Sequence, residues 1–66
     1  MLSIPTETTP EFRARIDALS HVDLAYLWRY ARVGDPRLLG ANGDYVKERL
    51  ASLGGITSAI SKQITP

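Results

Sequence analysis

Short stripes of apolar residues, spaced three or four positions apart, recur along the chain and follow residues that start helices. The first stripe follows Thr9-Pro10-Glu11. Threonine accepts from unpaired amides, proline fits the first helical position, and glutamate favours the positive helix end. Phe12, Ile16 and Leu19 then fall on one helical face. No window alternates apolar and polar residues for long enough to indicate a strand, so the sequence predicts an all-α fold.

The same kinds of residue indicate where the later helices begin and end. Gly54 and Gly55 are suited to end a third helix, and Thr57 is suited to cap a fourth. The predicted helices span about 9–19, 21–33, 43–53 and 57–64. We expect a small bundle of three to four short helices with the second helix central, preceded by an extended N-terminal arm over residues 1–8.

The chain is small for a protein without covalent cross-links. It has 66 residues, of which 44% are hydrophobic and none is cysteine. A domain of this size buries only about 60% of its unfolded surface, and without cysteine neither a disulfide nor a thiolate zinc site can hold it together. We therefore expect residues 9–66 to form one helical domain that closes by packing alone or with help from a partner chain.

The second predicted helix is apolar on two sides. It opens at Ser20, a capping residue, and is expected to run to Val33 before Gly34 ends it. One arc contains Leu24, Leu27, Trp28 and Ala31, and the opposite arc contains Val22, Tyr26, Tyr30 and Val33. Such a helix is either central in its fold or shares one side with a partner. We expect Trp28 to fill the core. Tyr26 and Tyr30 are candidates both for the core and for a partner interface.

Tyr, Trp and Arg side chains dominate the energetics of many protein interfaces, because they combine a large contact area with directional donors. They are concentrated in the second predicted helix and the loop that follows it. The candidate partner-binding residues are Tyr26, Arg29, Tyr30, Arg32, Arg37, Tyr45 and Arg49. This pattern predicts a small non-enzymatic protein-binding module, such as a regulator, inhibitor or adaptor. Its partner would be another protein or a second copy of the chain, since a homodimer would bury the surplus arc.

Nucleic-acid binding is the alternative hypothesis. The formal net charge is only +1, but acidic residues are in excess up to Asp23 and basic residues are in excess after it. The residues that would contact phosphates are Arg29, Arg32, Arg37, Arg49 and Lys62. Tyrosines would be available for base stacking. Strong nucleic-acid binders usually carry a denser basic stripe, so we rank this accessory role second.

Two segments resemble functional motifs but have simpler interpretations. Ser20, His21 and Asp23 are the residue types of a hydrolase triad, but side chains this close at a helix start do not converge. We interpret Ser20 and Asp23 as a helix cap and His21 as a surface residue. The glycine-containing segment 40–44 is interpreted as a turn before the third helix. We therefore predict no enzyme activity, no metal site and no cofactor.

The sequence also bears on location. The segment Met1–Pro5 has neither a basic start nor a continuous apolar run, and no apolar stretch approaches the roughly 20 residues that span a bilayer. We expect a cytoplasmic protein with no membrane contact.

Overall fold

The fold consists of short helices joined by tight turns. The computed structural model describes residues 6–65, and this range contains α1 (Pro10–Asp17), α2 (His21–Tyr30), α3 (Gly40–Ser52) and α4 (Ser58–Ile64). A 3₁₀ turn at Pro36–Leu38 precedes α3. Residues 6–65 contain no strand, so the all-α prediction is confirmed. Residues 1–5 of the predicted arm lie outside the described range.

Three helices begin where the sequence predicts, because each start depends on local capping. The hydroxyl oxygens of Thr9, Ser20 and Thr57 accept from the amide three residues ahead, at 3.1, 3.1 and 3.2 Å. Each bond satisfies a backbone donor that has no partner inside its helix. The chain just before α1 is also held in place, since the Arg13 guanidinium donates to the Thr8 hydroxyl oxygen at 2.7 Å.

The core lies where the inner faces of the helices meet. α2 packs against both α3 and α4, as expected for a central helix, and α3 also contacts α1 and the 3₁₀ turn. Leu24 and Val46 are fully enclosed at the α2–α3 contact. The buried core is formed by Ile16, Leu24, Ala25, Leu27, Val46, Leu50, Ile60 and Ile64. Within residues 6–65, no helix has both the length and the apolar character needed to cross a bilayer.

The predicted end of the second helix is wrong by three residues. α2 ends at Tyr30, because Ala31 adopts an extended conformation with ψ 146°. The chain then turns, with the Asp35 amide donating to the Arg32 carbonyl at 3.0 Å, and Gly34 has a positive φ within this turn. The connection to the 3₁₀ turn therefore uses residues that the periodicity assigned to the helix. As a result, Arg32 and Val33 lie on a loop.

The predicted start of the third helix is also wrong. α3 begins at Gly40, follows Leu39 without a side-chain cap, and includes the glycines that were interpreted as a preceding turn. Gly43 is buried against the backbone of the 3₁₀ turn, and a Cβ atom at this position would lie 2.3 Å from the Leu38 carbonyl oxygen. Glycine at position 43 is thus required by a close approach of two backbone segments, which local sequence signals do not reveal.

The turn between α3 and α4 is fixed from two sides. Gly55 and Gly54 donate to the carbonyls of Leu50 and Ala51 at 2.9 and 3.0 Å, which is the Schellman pattern of helix ends. His21, at the start of α2, donates through Nε2 to the Gly55 carbonyl at 2.6 Å. This histidine is half-buried, and its ring joins α2 to the turn.

Candidate functional site

α2 has more apolar surface than its neighbours cover. Leu24, Ala25 and Leu27 are buried on its inner side. Tyr26, Trp28 and Tyr30 remain exposed on the rest of its perimeter. The neighbouring helices therefore enclose only part of α2, which carries large side chains on two sides. The exposed residues divide into two separate surfaces, one on each side of α2.

The first surface, here called the tyrosine face, contains Tyr26 and Tyr30 together with Arg32, Val33 and Arg37. Tyr26 is 56% exposed and Tyr30 is 41% exposed. Their rings lie one helical turn apart, with centroids separated by 4.9 Å and planes inclined at 44°. Val33 is fully exposed on the loop that follows. The tyrosine face is thus a contiguous aromatic and aliphatic surface open to solvent.

Two shallow grooves run through the tyrosine face. One has a volume of about 330 Å³ and is lined by Leu19, Asp23, Tyr26, Tyr30 and Arg37. The other follows the loop from Tyr30 to Arg37 and includes Arg32. The two grooves share Tyr30 and Arg37, so they adjoin each other. Asp23 also lines the first groove, and Arg32 and Asp35 also line the second, so each groove has both acidic and basic side chains.

Arg37 is held in position on this surface by Asp35. Its Nε and Nη2 atoms donate to Asp35 Oδ1 and Oδ2 at 3.0 and 2.7 Å, and its backbone amide also donates to Oδ1 at 2.9 Å. These bonds lower the pKa of Asp35 from 3.8 to about 2, with the side-chain hydrogen bond as the largest cause. The same bond raises the pKa of Arg37. The Arg37 side chain is 57% exposed, so it presents an oriented guanidinium to solvent.

The second surface, here called the tryptophan groove, lies between α2 and α4. Trp28 and Arg29 line it from α2, and Ile56, Ser61 and Lys62 line it from the opposite side. The Arg29 guanidinium donates to Ser61 Oγ at 3.0 Å, which ties the two helices together. Arg29 therefore lies on a different surface from Arg32 and Arg37.

The expectation that Trp28 fills the core is wrong. Trp28 follows buried Leu24 by one helical turn but is 37% exposed. It lines an open groove together with Ile56, Ser58 and Ser61, and these residues leave part of the indole uncovered. The position of Trp28 thus depends on side chains that are distant in sequence, which the periodicity of α2 cannot show.

Tyr45 and Arg49 contact α1 and do not join the tyrosine face. The Tyr45 hydroxyl donates to Asp17 Oδ1 at 2.6 Å, and this bond raises the pKa of Tyr45. Its ring packs edge-on against Phe12, with centroids 6.5 Å apart. Arg49 Nε lies 3.7 Å from the same Asp17 oxygen. Both side chains therefore help to join α3 to α1.

The residues considered for chemistry are engaged in backbone contacts. Ser20 Oγ accepts from the Asp23 amide, and His21 Nε2 donates to the Gly55 carbonyl. The segment 40–44, interpreted from the sequence as a turn, forms the beginning of α3. Among residues 6–65, no group of three or more His, Asp or Glu side chains is arranged to hold a metal ion.

Comparisons with known proteins add no family to this description. No protein-family model matches the chain, and no match was found among curated proteins or solved structures. The functional argument therefore depends on the surface chemistry of this chain.

Proposed function

We propose that the protein is a small non-enzymatic protein-binding module and that it contacts its partner through the tyrosine face. The observation that carries this proposal is the exposure of Tyr26 and Tyr30, paired one turn apart on the outer side of α2. Large exposed aromatic patches beside polar groups are typical of protein interfaces. A regulator, inhibitor or adaptor would use such a surface, and we propose the cytoplasm as its location.

The tyrosine face combines features that favour contact with a polypeptide. Tyr26, Tyr30 and Val33 offer apolar area that water covers in the isolated chain. Arg37 is already oriented by Asp35, so little side-chain entropy would be lost when it donates to a partner. Aromatic anchors with an arginine at the edge are the residue types that most often dominate binding energy.

The basic residues support a protein partner more than a nucleic acid. Arg37 is paired with Asp35, and Arg49 lies beside Asp17. Arg29 and Lys62 lie on the tryptophan groove, away from Arg32 on the tyrosine face. Phosphate binding requires several unpaired cations along one path, and here the cations are divided among three parts of the surface.

Site-specific photo-cross-linking tests the proposal. The photoreactive residue p-benzoylphenylalanine would replace Tyr26, and a matched control would carry it in place of Ala51, which is exposed on the outer side of α3. In a native lysate, the probe at position 26 should give a discrete polypeptide adduct that the control lacks, and adding Tyr30→Ala should reduce its yield. Identical adducts at both positions, or none at position 26, would contradict the proposal.

A further inference from the structure

We infer that the partner of the tyrosine face is a polypeptide segment in which an acidic residue lies beside a large apolar residue. The apolar side chain enters a cavity next to the tyrosine face, and the carboxylate pairs with Arg15. This inference rests on the proposed function, because the cavity and the tyrosine face would bind the same segment. It goes further by naming the chemistry of that segment and a contact residue on α1.

The cavity is lined by residues of α1, α2 and the 3₁₀ turn. It has a volume of about 230 Å³, and its lining residues are Phe12, Arg15, Ile16, Leu19, Leu27 and Arg37. Three of these, Leu19, Leu27 and Arg37, also line the groove that contains Tyr26 and Tyr30. The cavity and that groove therefore adjoin, and a polypeptide that covers the tyrosine rings can reach the cavity directly.

The lining of the cavity favours an apolar side chain. Ile16 and Leu27 are buried, and Phe12 and Leu19 are half-buried. An apolar group that enters would remove its own surface and that of these residues from water. Pockets that enclose drug-sized ligands measure about 300–1,000 Å³. A cavity of about 230 Å³ is smaller and suits a side chain of a polypeptide, the kind of anchor that often dominates binding energy.

The charges beside the cavity favour a carboxylate. Its two charged lining residues are both arginines. Arg15 is exposed, and among residues 6–65 it forms no ion pair. Arg37 is neutralised by Asp35, so the excess positive charge comes from Arg15. The Arg15 guanidinium can donate to a carboxylate through two nitrogen atoms at once, which gives a strong and directional contact.

Asp23 determines where along the partner the acidic residue belongs. Asp23 lines the groove that contains Tyr26 but does not line the cavity, whereas Arg15 lines the cavity but not that groove. A carboxylate over the groove would meet a like charge, which is unfavourable at an interface. We therefore expect the acidic residue beside the apolar anchor, and an uncharged or basic stretch over the tyrosines.

Selection from a random-peptide library displayed on phage tests this chemistry. Peptides recovered on the unmodified protein should carry an aspartate or glutamate beside a large apolar residue more often than peptides of the unselected library. Their affinity, measured by fluorescence anisotropy, should fall roughly tenfold with Arg15→Glu, because a like-charge contact replaces a charge-assisted hydrogen bond. Exchange of the acidic residue of the peptide for lysine should restore its affinity for Arg15→Glu.

The controls separate the contact from net charge and from folding. Lys47→Glu makes the same change of charge at an exposed position of α3 outside the cavity, and it should bind the peptides like the unmodified protein. Circular dichroism would confirm that each variant is helical. If Arg15→Glu does not fold, Arg15→Gln removes the charge without reversing it and should weaken binding less than a reversal. Tyr26→Ala should also weaken binding, since the segment covers both sites.

The outcomes distinguish this inference from the proposed function. A library that yields no binding peptide, peptides without acidic enrichment, or equal binding by Arg15→Glu and Lys47→Glu would overturn the acidic segment. If Tyr26→Ala weakens binding and Arg15→Glu does not, the tyrosine face binds a polypeptide of different chemistry and the proposed function stands. An adduct at position 26 with a second copy of the chain would have the same meaning. If no peptide is recovered and the probe at position 26 captures no polypeptide, both are wrong.

Discussion

Tyr26 and Tyr30 lie one turn apart on α2 with ring centroids 4.9 Å apart, and both rings are open to solvent. Two helix positions are thus occupied by large aromatic side chains that the fold does not enclose. If these rings serve binding and not stability, their removal should have little effect on folding. The free energy of unfolding of such variants therefore distinguishes the tyrosine face from the core.

Replacement of both tyrosines by alanine should destabilise the monomer less than the loss of one core side chain. We expect Tyr26→Ala with Tyr30→Ala to cost about 0.5–1.5 kcal/mol for the lost aromatic pair, plus a small contribution from the part of each ring that the fold covers. The control Leu24→Ala removes a fully buried side chain and should cost about 2–5 kcal/mol. Urea unfolding at low protein concentration measures both. A double variant as unstable as Leu24→Ala would mean that the rings belong to the core.

Gly43 should not tolerate a methyl group. An added Cβ would lie 2.3 Å from the Leu38 carbonyl oxygen, so Gly43→Ala should force α3 away from the 3₁₀ turn. We expect a loss of about 1–3 kcal/mol from overpacking, although alanine is the better helix former. Asp44→Ala, at the exposed neighbouring position, should be close to neutral. Thermal unfolding compares the two, and equal stability would show that the contact is not close.

Asp35 should make the folded protein sensitive to acid. Its pKa falls from 3.8 to about 2 on folding, because Arg37 donates to its carboxylate. A lowered pKa means that the stabilisation is complete above the unfolded value and is lost as the pH falls from about 4 towards about 2. Carboxyl NMR titration should give a midpoint near 2, and Arg37→Ala should move it back towards 3.8. An unchanged midpoint in this variant would contradict the pairing.

Tyr45 should ionise above the ordinary tyrosine pKa of 10.0, because its hydroxyl donates to the Asp17 carboxylate. The raised pKa means that this bond stabilises the fold below pH 10 and that its contribution is lost as the pH rises through the folded value. Absorbance titration in a Tyr26→Phe, Tyr30→Phe background isolates Tyr45. Adding Asp17→Asn should lower the midpoint, whereas adding Glu11→Gln should leave it in place.

Local sequence signals predict where the helices begin. They do not predict features that depend on contacts between different segments of the chain. Thr9, Ser20 and Thr57 cap helices through bonds that span only three residues, so sequence alone is sufficient to find them. The end of α2 depends instead on the turn that connects it to the 3₁₀ segment. The close approach at Gly43 likewise depends on backbone outside the helix.

For the candidate surface, too, the sequence predicts what one helix determines and not what contacts between helices determine. Tyr26 and Tyr30 were recognisable because the periodicity of one helix places them on its second apolar side. The periodicity of α2 predicts Trp28 in the core, but its exposure depends on the side of α4 that it faces, which has no signal within α2. The positions of Tyr45 and Arg49 follow from contacts with α1 about 30 residues away, which composition and spacing cannot reveal.

Hydroxyl-radical footprinting measures most directly whether the tyrosine face is covered by a polypeptide. Oxidation of Tyr26 and Tyr30 would be compared between dilute purified protein and the same protein in a concentrated native lysate, with Trp28 as an internal reference on the other side of α2. We expect both tyrosines to be protected in the lysate while Trp28 is oxidised to the same extent. Equal oxidation of Tyr26 and Tyr30 in the two samples would contradict the account.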